Sequence, residues 1–151
     1  DDTKIFYENI DITSSIRNEE IAKAASKLSA LSDTRKSLID IQRNFMPSNN
    51  LVADGRDMGT VVFPEAELKI FLVASSEVRA KRRYLELQNR GQEVNMRDLI
   101  ADIEARDMKD KSRTLSPLIP AEESIIIDSS SMSLDEVLSF TKKLAKKELN
   151  K

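Results

Sequence analysis

Residues 68–74, LKIFLVA, form an almost continuous apolar run that is far too short to span a membrane. A run of this kind reads as a strand covered on both faces, the usual mark of a parallel sheet. Residues 124–128, SIIID, read as another short buried strand, and residues 51–53, LVA, as a third. Helical patterns follow the runs at 68–74 and 124–128. Ser75 or Ser76 can cap EVRAKRRYLELQNR, with Gly91 placed as the residue just past its end. Asn95 can cap a helix striped by Met96, Leu99, Ile100 and Ile103 that turns wholly polar beyond Glu104. Residues 115–120 carry two prolines and read as a loop, and Ser133 with Glu136 makes a capping box for a last helix, with Leu134, Val137, Leu138, Leu144 and Ala145 inward. Strand and helix thus alternate from Leu51 onward. Joined by right-handed crossovers, they predict an α/β fold: a three-layer, doubly wound parallel sheet with flanking helices.

The first fifty residues read differently. Residues 4–8 alternate weakly and are followed by Asn9, Ile10 and Ile12, the end of a small antiparallel ribbon. From Asn18 a helix begins, with Glu19 and Glu20 in its first turn and Ile21, Ala24, Ala25 and Leu28 on one face. A second starts after Ser32 with a stripe of Leu38, Ile41 and Phe45, and must stop near Met46 because Pro47 disfavours helix in the residue before it.

Chemistry concentrates in residues 51–63, LVADGRDMGTVVF. An apolar run meets an Asp-Gly break, then Arg56 and Asp57, a second glycine and another apolar run. In open α/β sheets ligands sit where strand C-termini release their loops, and a guanidinium beside a carboxylate there can grip an anion together with a hydroxyl or a base edge. A surface turn carrying a structural ion pair satisfies the same residues equally well. Further on, Arg106, Asp110 and Arg113 are spaced i, i+4, i+7 and share a helix face, with Asp107 beside it. Two arginines flanking a carboxylate suit a sugar-phosphate; an exposed ladder of ion pairs is the commoner outcome for such a helix. Arg79, Lys81, Arg82 and Arg83 wrap their helix, either as a solvated face interleaved with Glu77 and Glu86 or as arginines of a mobile lid that neutralises a transferring phosphoryl group.

Absences narrow the chemistry. The chain has no cysteine and no histidine, which removes disulfides, thiolate zinc sites, a cysteine nucleophile and any imidazole base. Its 24 Lys and Arg against 26 Asp and Glu give a net charge of −2, the wrong balance for generic polyanion binding. No membrane span and no signal-peptide pattern is present, so the cytoplasm is the expected compartment. The three glycines, Gly55, Gly59 and Gly91, form no G-x-x-x-x-G-K-[ST] loop.

In IRNEEIAKAAS at 16–26, LVADGRDMGTVVFPEAELKIFL at 51–72, the RAKRRYLEL and IEARDMKDKSR helices, SPLIP and the final SIIIDSSSMSLDEV, the chain resembles the C-terminal portion of the bacterial cytidylate kinases. GRDMGTVVFP is the most specific of these segments. The resemblance implies a P-loop nucleoside monophosphate kinase fold, incomplete at the N-terminus, and a phosphotransferase of pyrimidine metabolism that moves the ATP γ-phosphoryl, as its Mg²⁺ complex, to CMP or dCMP. It implies that residues 1–50 are the end of the CMP-binding region and residues 51–151 the α/β core, with a helical lid at about 76–113. By position, Ser26, Arg35 and Asp57 would read the cytosine, Arg56 would hold the CMP phosphate, Arg106 and Asp110 the ribose, and Arg113 the phosphate side. Arg82 and Arg83 would belong to the lid, as the catalytic arginines. The polar helix departs from the family pattern in Met108, Lys109 and Lys111, while the spaced Arg106, Asp110 and Arg113 remain.

The phosphate-binding loop that this family carries upstream is not in these residues, so the 151-residue chain is expected to be inactive alone. It is also expected to self-associate through apolar sheet surface. No metal ligand, nucleic-acid partner or membrane partner is expected of it. Two alternatives carry different signatures: a basic-helix module for RNA or an acidic partner would bind with steep salt dependence, and a degenerate paralogue would keep the fold as an interaction surface alone.

Overall fold

The computed structural model describes residues 4–16, 19–44 and 50–150. They fall into two compact units, residues 1–50 and 51–151. In the first, β1 (Phe6–Tyr7) and β2 (Ile10–Asp11) pair antiparallel with Phe6 opposite Asp11 and Tyr7 opposite Ile10. Glu8 and Asn9 join them with φ of 48° and 66°, the two positive values that a tight hairpin turn demands and that asparagine tolerates well. Two helices follow, α1 (Glu19–Leu28) and α2 (Ser32–Asn44). The start at Asn18 and the stop at Phe45, Met46 and Pro47 lie outside the described residues.

The second unit is α/β. β3 (Ile70–Val73) and β4 (Ile125–Asp128) pair in parallel, Ile70 with Ile125 through Val73 with Asp128. Between them run α3 (Ser76–Asn89) and α4 (Met96–Ser112), which pack on each other; α5 (Leu134–Leu149) follows β4. The caps are those the sequence predicts. Ser75 accepts from the Val78 amide, Asn95 from the Arg97 amide, and Ser133 and Glu136 close a reciprocal capping box. At the end of α3 the Gly91 amide donates to the Gln88 carbonyl and the Gln92 amide to the Leu87 carbonyl, a Schellman closure that needs Gly91 at φ 73°. A Cβ there meets nothing within 4 Å, so Gly91→Ala is penalised only by backbone strain: about 1 kcal/mol in urea unfolding.

Three expectations change. Residues 51–53 are not a strand: among the described residues no neighbouring backbone offers them a ladder, and Val52 is left 97% exposed. The apolar run that follows becomes a single π-helical turn, Met58–Val62, in which the Asp57 carbonyl accepts from both the Val61 and Val62 amides. Val62 is its buried anchor. On α5, Val137, Leu144 and Ala145 are half-buried, but Leu134 (83%) and Leu138 are exposed, and β4 buries only Ile127. A two-stranded sheet has too little surface to cover every apolar face that the periodicity marks.

Candidate functional site

The π-helical turn and the long helix α4 meet around two carboxylates. Arg56 stands immediately before the turn and Asp57 opens it. The guanidinium of Arg56 ion-pairs with Asp110, whose side chain is 7% exposed against 35% for Arg56. Arg113, at the end of α4, lies 3.5 Å from the other oxygen of Asp110 and is itself 12% exposed. Its Nε donates to the Ser116 carbonyl, and the Leu118 amide donates to the Asp110 carbonyl at 2.9 Å, so the SPLIP loop folds back on the end of the helix and closes over this cluster. Burial of a charge this deep is tolerated only with such pairing.

One turn back along α4, Asp107 receives a bidentate fork from α3: Arg79 Nη1 and Nη2 reach its two oxygens at 2.9 and 2.6 Å. The same guanidinium gives its Nε to the Ala74 carbonyl at 3.0 Å, at the exit of β3. Next to it Ser76 donates to Glu104 at 2.9 Å, while Ala80, beside Arg79, is fully buried. Arg79's hydrogen bonds hold the Asp107 carboxyl below its ordinary value, against the opposing effect of burial.

The charges are unbalanced. Burial first, and then repulsion from Arg106, Arg113 and Arg79, push the Arg56 guanidinium below its usual value, with Asp107 acting the other way. Four arginines, Arg56, Arg79, Arg106 and Arg113, therefore stand among three carboxylates, Asp57, Asp107 and Asp110, an excess of one positive charge. Such a surplus in a partly desolvated place favours a multiply charged anion, and the planar forks suit phosphate oxygens. Among the described residues no group of three or more carboxylates gathers so as to hold a metal ion.

The sequence-derived set thus divides. Arg56, Asp110 and Arg113 are in contact, Arg106 is within electrostatic reach, and Asp57 is buried beside Arg56. Ser26 and Arg35, in the first unit, are joined through the corner between α1 and α2: Ser29 Oγ donates to the Ser26 carbonyl at 2.9 Å and Arg35 Nε to the Ser29 carbonyl at 2.6 Å. Arg82 instead donates to Ser129 Oγ and to the carbonyls of Ser129 and Met132, on the loop after β4, and Arg83 pairs with Glu86 at 2.9 Å. Arg82 and Arg83 are thus engaged by the protein's own groups. The Arg79–Asp107 fork was not legible in the sequence. Asp107 stood beside the marked face and Arg79 in the basic cluster, but nothing local links positions 28 residues apart.

The sequence profile of the family described as cytidylate kinase matches residues 1–147. The chain is 48% identical over 137 residues to the cytidylate kinase of Pasteurella multocida, covering 91% of this chain and 60% of that protein. It is 51% identical over 135 residues to the cytidylate kinase of Aeromonas hydrophila (89% and 59%), and 47% over 146 residues to that of Aeromonas salmonicida (97% and 64%). The chain therefore spans about three fifths of the length of these curated relatives.

Proposed function

We propose, from the premise that this chain belongs to the cytidylate kinase family, that its arginine cluster is the acceptor-nucleotide site of an enzyme that phosphorylates CMP or dCMP with ATP. The observation that carries the reading is the buried Arg56–Asp110–Arg113 contact inside a surplus of guanidinium charge. In that site Arg56 holds the acceptor phosphate, with Arg113 on its outer side. Arg106 and Asp110 take the ribose, the carboxylate accepting from a hydroxyl. Asp57 reads the cytosine edge, and by their positions in the family pattern Ser26 and Arg35 are assigned to the same base. Residues 1–50 then belong to the acceptor-binding region and residues 51–151 to the core, with the lid at about 76–113.

An oxygen of the CMP phosphate attacks the γ-phosphorus of ATP, the bond from that phosphorus to the β–γ bridging oxygen breaks, and CDP and ADP result. Two polyanions must approach for this to happen. The chain's share of the work is to screen their repulsion and align them, which requires positioned guanidinium groups and no histidine or cysteine. Arg82 and Arg83 would act only after exchanging their present partners for phosphate oxygens. Mg²⁺ supplies charge neutralisation on the ATP phosphates and comes to the reaction with the nucleotide. The cytoplasm is the proposed compartment; no helix among the described residues is long and apolar enough to cross a membrane.

These 151 residues contain no triphosphate-cradling glycine loop, so the chain alone should bind CMP weakly and turn over none. Its exposed Leu72, Ile126 and Leu134 should favour self-association. Titration of CMP and of a single-stranded RNA at two salt concentrations tests the assignment. Saturable CMP binding is expected; RNA binding that falls steeply with salt, without CMP binding, would replace the reading with that of a basic-helix module.

A further inference from the structure

Asp107 and Asp110 sit three residues apart on α4, one helical turn, and both act on Arg56: Asp110 by contact and Asp107 through its field. Asp110 touches that guanidinium, and Asp107, one turn back on the same helix, presents a second carboxylate of the same kind. Asp107 already holds the two parallel hydrogen bonds from Arg79, the geometry in which a carboxylate is best satisfied, and Arg79 is anchored by its third donor on the Ala74 carbonyl. We infer that Arg79 is a positioning residue that occupies Asp107 and so keeps Arg56 paired with Asp110, where its fork faces the acceptor phosphate.

A guanidinium fixed by β3's exit and α3's first turn is a better occupant than a lysine would be, because both carboxylate oxygens are taken at once. Loss of Arg79 uncovers a carboxylate within the field of Arg56. Asp107 then draws Arg56 away from Asp110, and the acceptor phosphate loses its aligned fork although Arg56 itself is unaltered. A purely structural tie between α3 and α4 behaves differently. If Arg79 only held the helices together, removing Asp107 as well would leave the damage in place or deepen it.

The nucleotide arm of the test rests on the acceptor-site reading above; the other arm does not. Arg79→Met keeps an unbranched aliphatic stem, and Arg79→Gln is a second variant should the first unfold. In the ligand-free chain, the Arg56 side-chain Nε–Hε resonance should move in Arg79→Met and return toward its original position in Arg79→Met/Asp107→Asn. CMP affinity should fall about tenfold in the single variant and recover to within about threefold in the double one, the sign of coupled neighbours. An Arg56 resonance that stays put in Arg79→Met overturns the inference, as does a double variant with no recovery. Absence of CMP binding in the unaltered chain, with the resonance pattern as described, would sink the nucleotide reading and leave the positioning role standing.

Discussion

Asp110→Ala is expected to destabilise the second unit by about 3 kcal/mol, the largest effect of any single substitution in the cluster. Asp110 is the common partner of Arg56 and Arg113, and its removal leaves two guanidinium groups facing each other with Arg106 and Arg79 adding to the repulsion. Arg113, at 12% exposure, cannot recover the loss from water. Arg56, at 35%, can recover part of it, which keeps the figure at the low end for a broken buried pair. Asp110→Asn, which keeps the shape and an acceptor, should lose about half as much. Urea unfolding measures both. Inorganic phosphate should restore stability to the alanine variant more than to the unaltered chain, because the anion supplies the missing negative charge. A change below about 1 kcal/mol would mean that solvent screens the cluster as it screens a surface ion pair.

Arg56→Ala should act in the opposite sense, with a large loss of CMP affinity and a small loss of stability. Its removal leaves Asp110 with Arg113, so no buried charge is stranded. Under the proposed acceptor-site reading, in contrast, the CMP phosphate loses the fork that Asp110 aligns. Truncation of one partner in such a charge-assisted contact corresponds to about 100-fold in affinity. Arg56→Lys should lie between, near tenfold, because an ammonium keeps the charge and loses the planar two-point grip. Calorimetric titration with CMP, paired with urea unfolding, separates the two quantities. Equal losses of affinity and stability would assign Arg56 to the fold rather than to the ligand.

How far the sequence carried depends on whether a signal is local. Caps and turns are short-range matters, and Asn9, Ser75, Gly91, Asn95, Ser133 and Glu136 all take the places that their side chains or backbone freedom suggest. The helix-face rule put Arg106, Asp110 and Arg113 on one side of a helix; α4 ends at Ser112, and Arg113 reaches Asp110 from the extended residue just past that end. Strands are not local. Residues 51–53 have a strand's composition, but a strand exists only as a pairing, and the apolar run after Gly59 closes instead on the Asp57 carbonyl as a wide helical turn. Burial is also a property of the partner surface: Leu134 carries the periodicity of an inward residue and is left exposed among the described residues. The Arg79–Asp107 fork and the capture of Arg82 by the loop after β4 both join positions far apart in the chain, and no spacing rule foretells them.

Arg56 is thereby tied to a carboxylate one helix away, inside an excess of guanidinium charge. The most direct test of that arrangement as an acceptor-nucleotide site is a CMP titration of the isotope-labelled chain, followed through its arginine side-chain resonances. Arg56, Arg106 and Arg113 should shift together along one saturable curve, while Arg43 on α2 does not move. Shifts that are absent from these three, or that gather on Arg82 and Arg83 with Arg56 silent, would contradict the assignment.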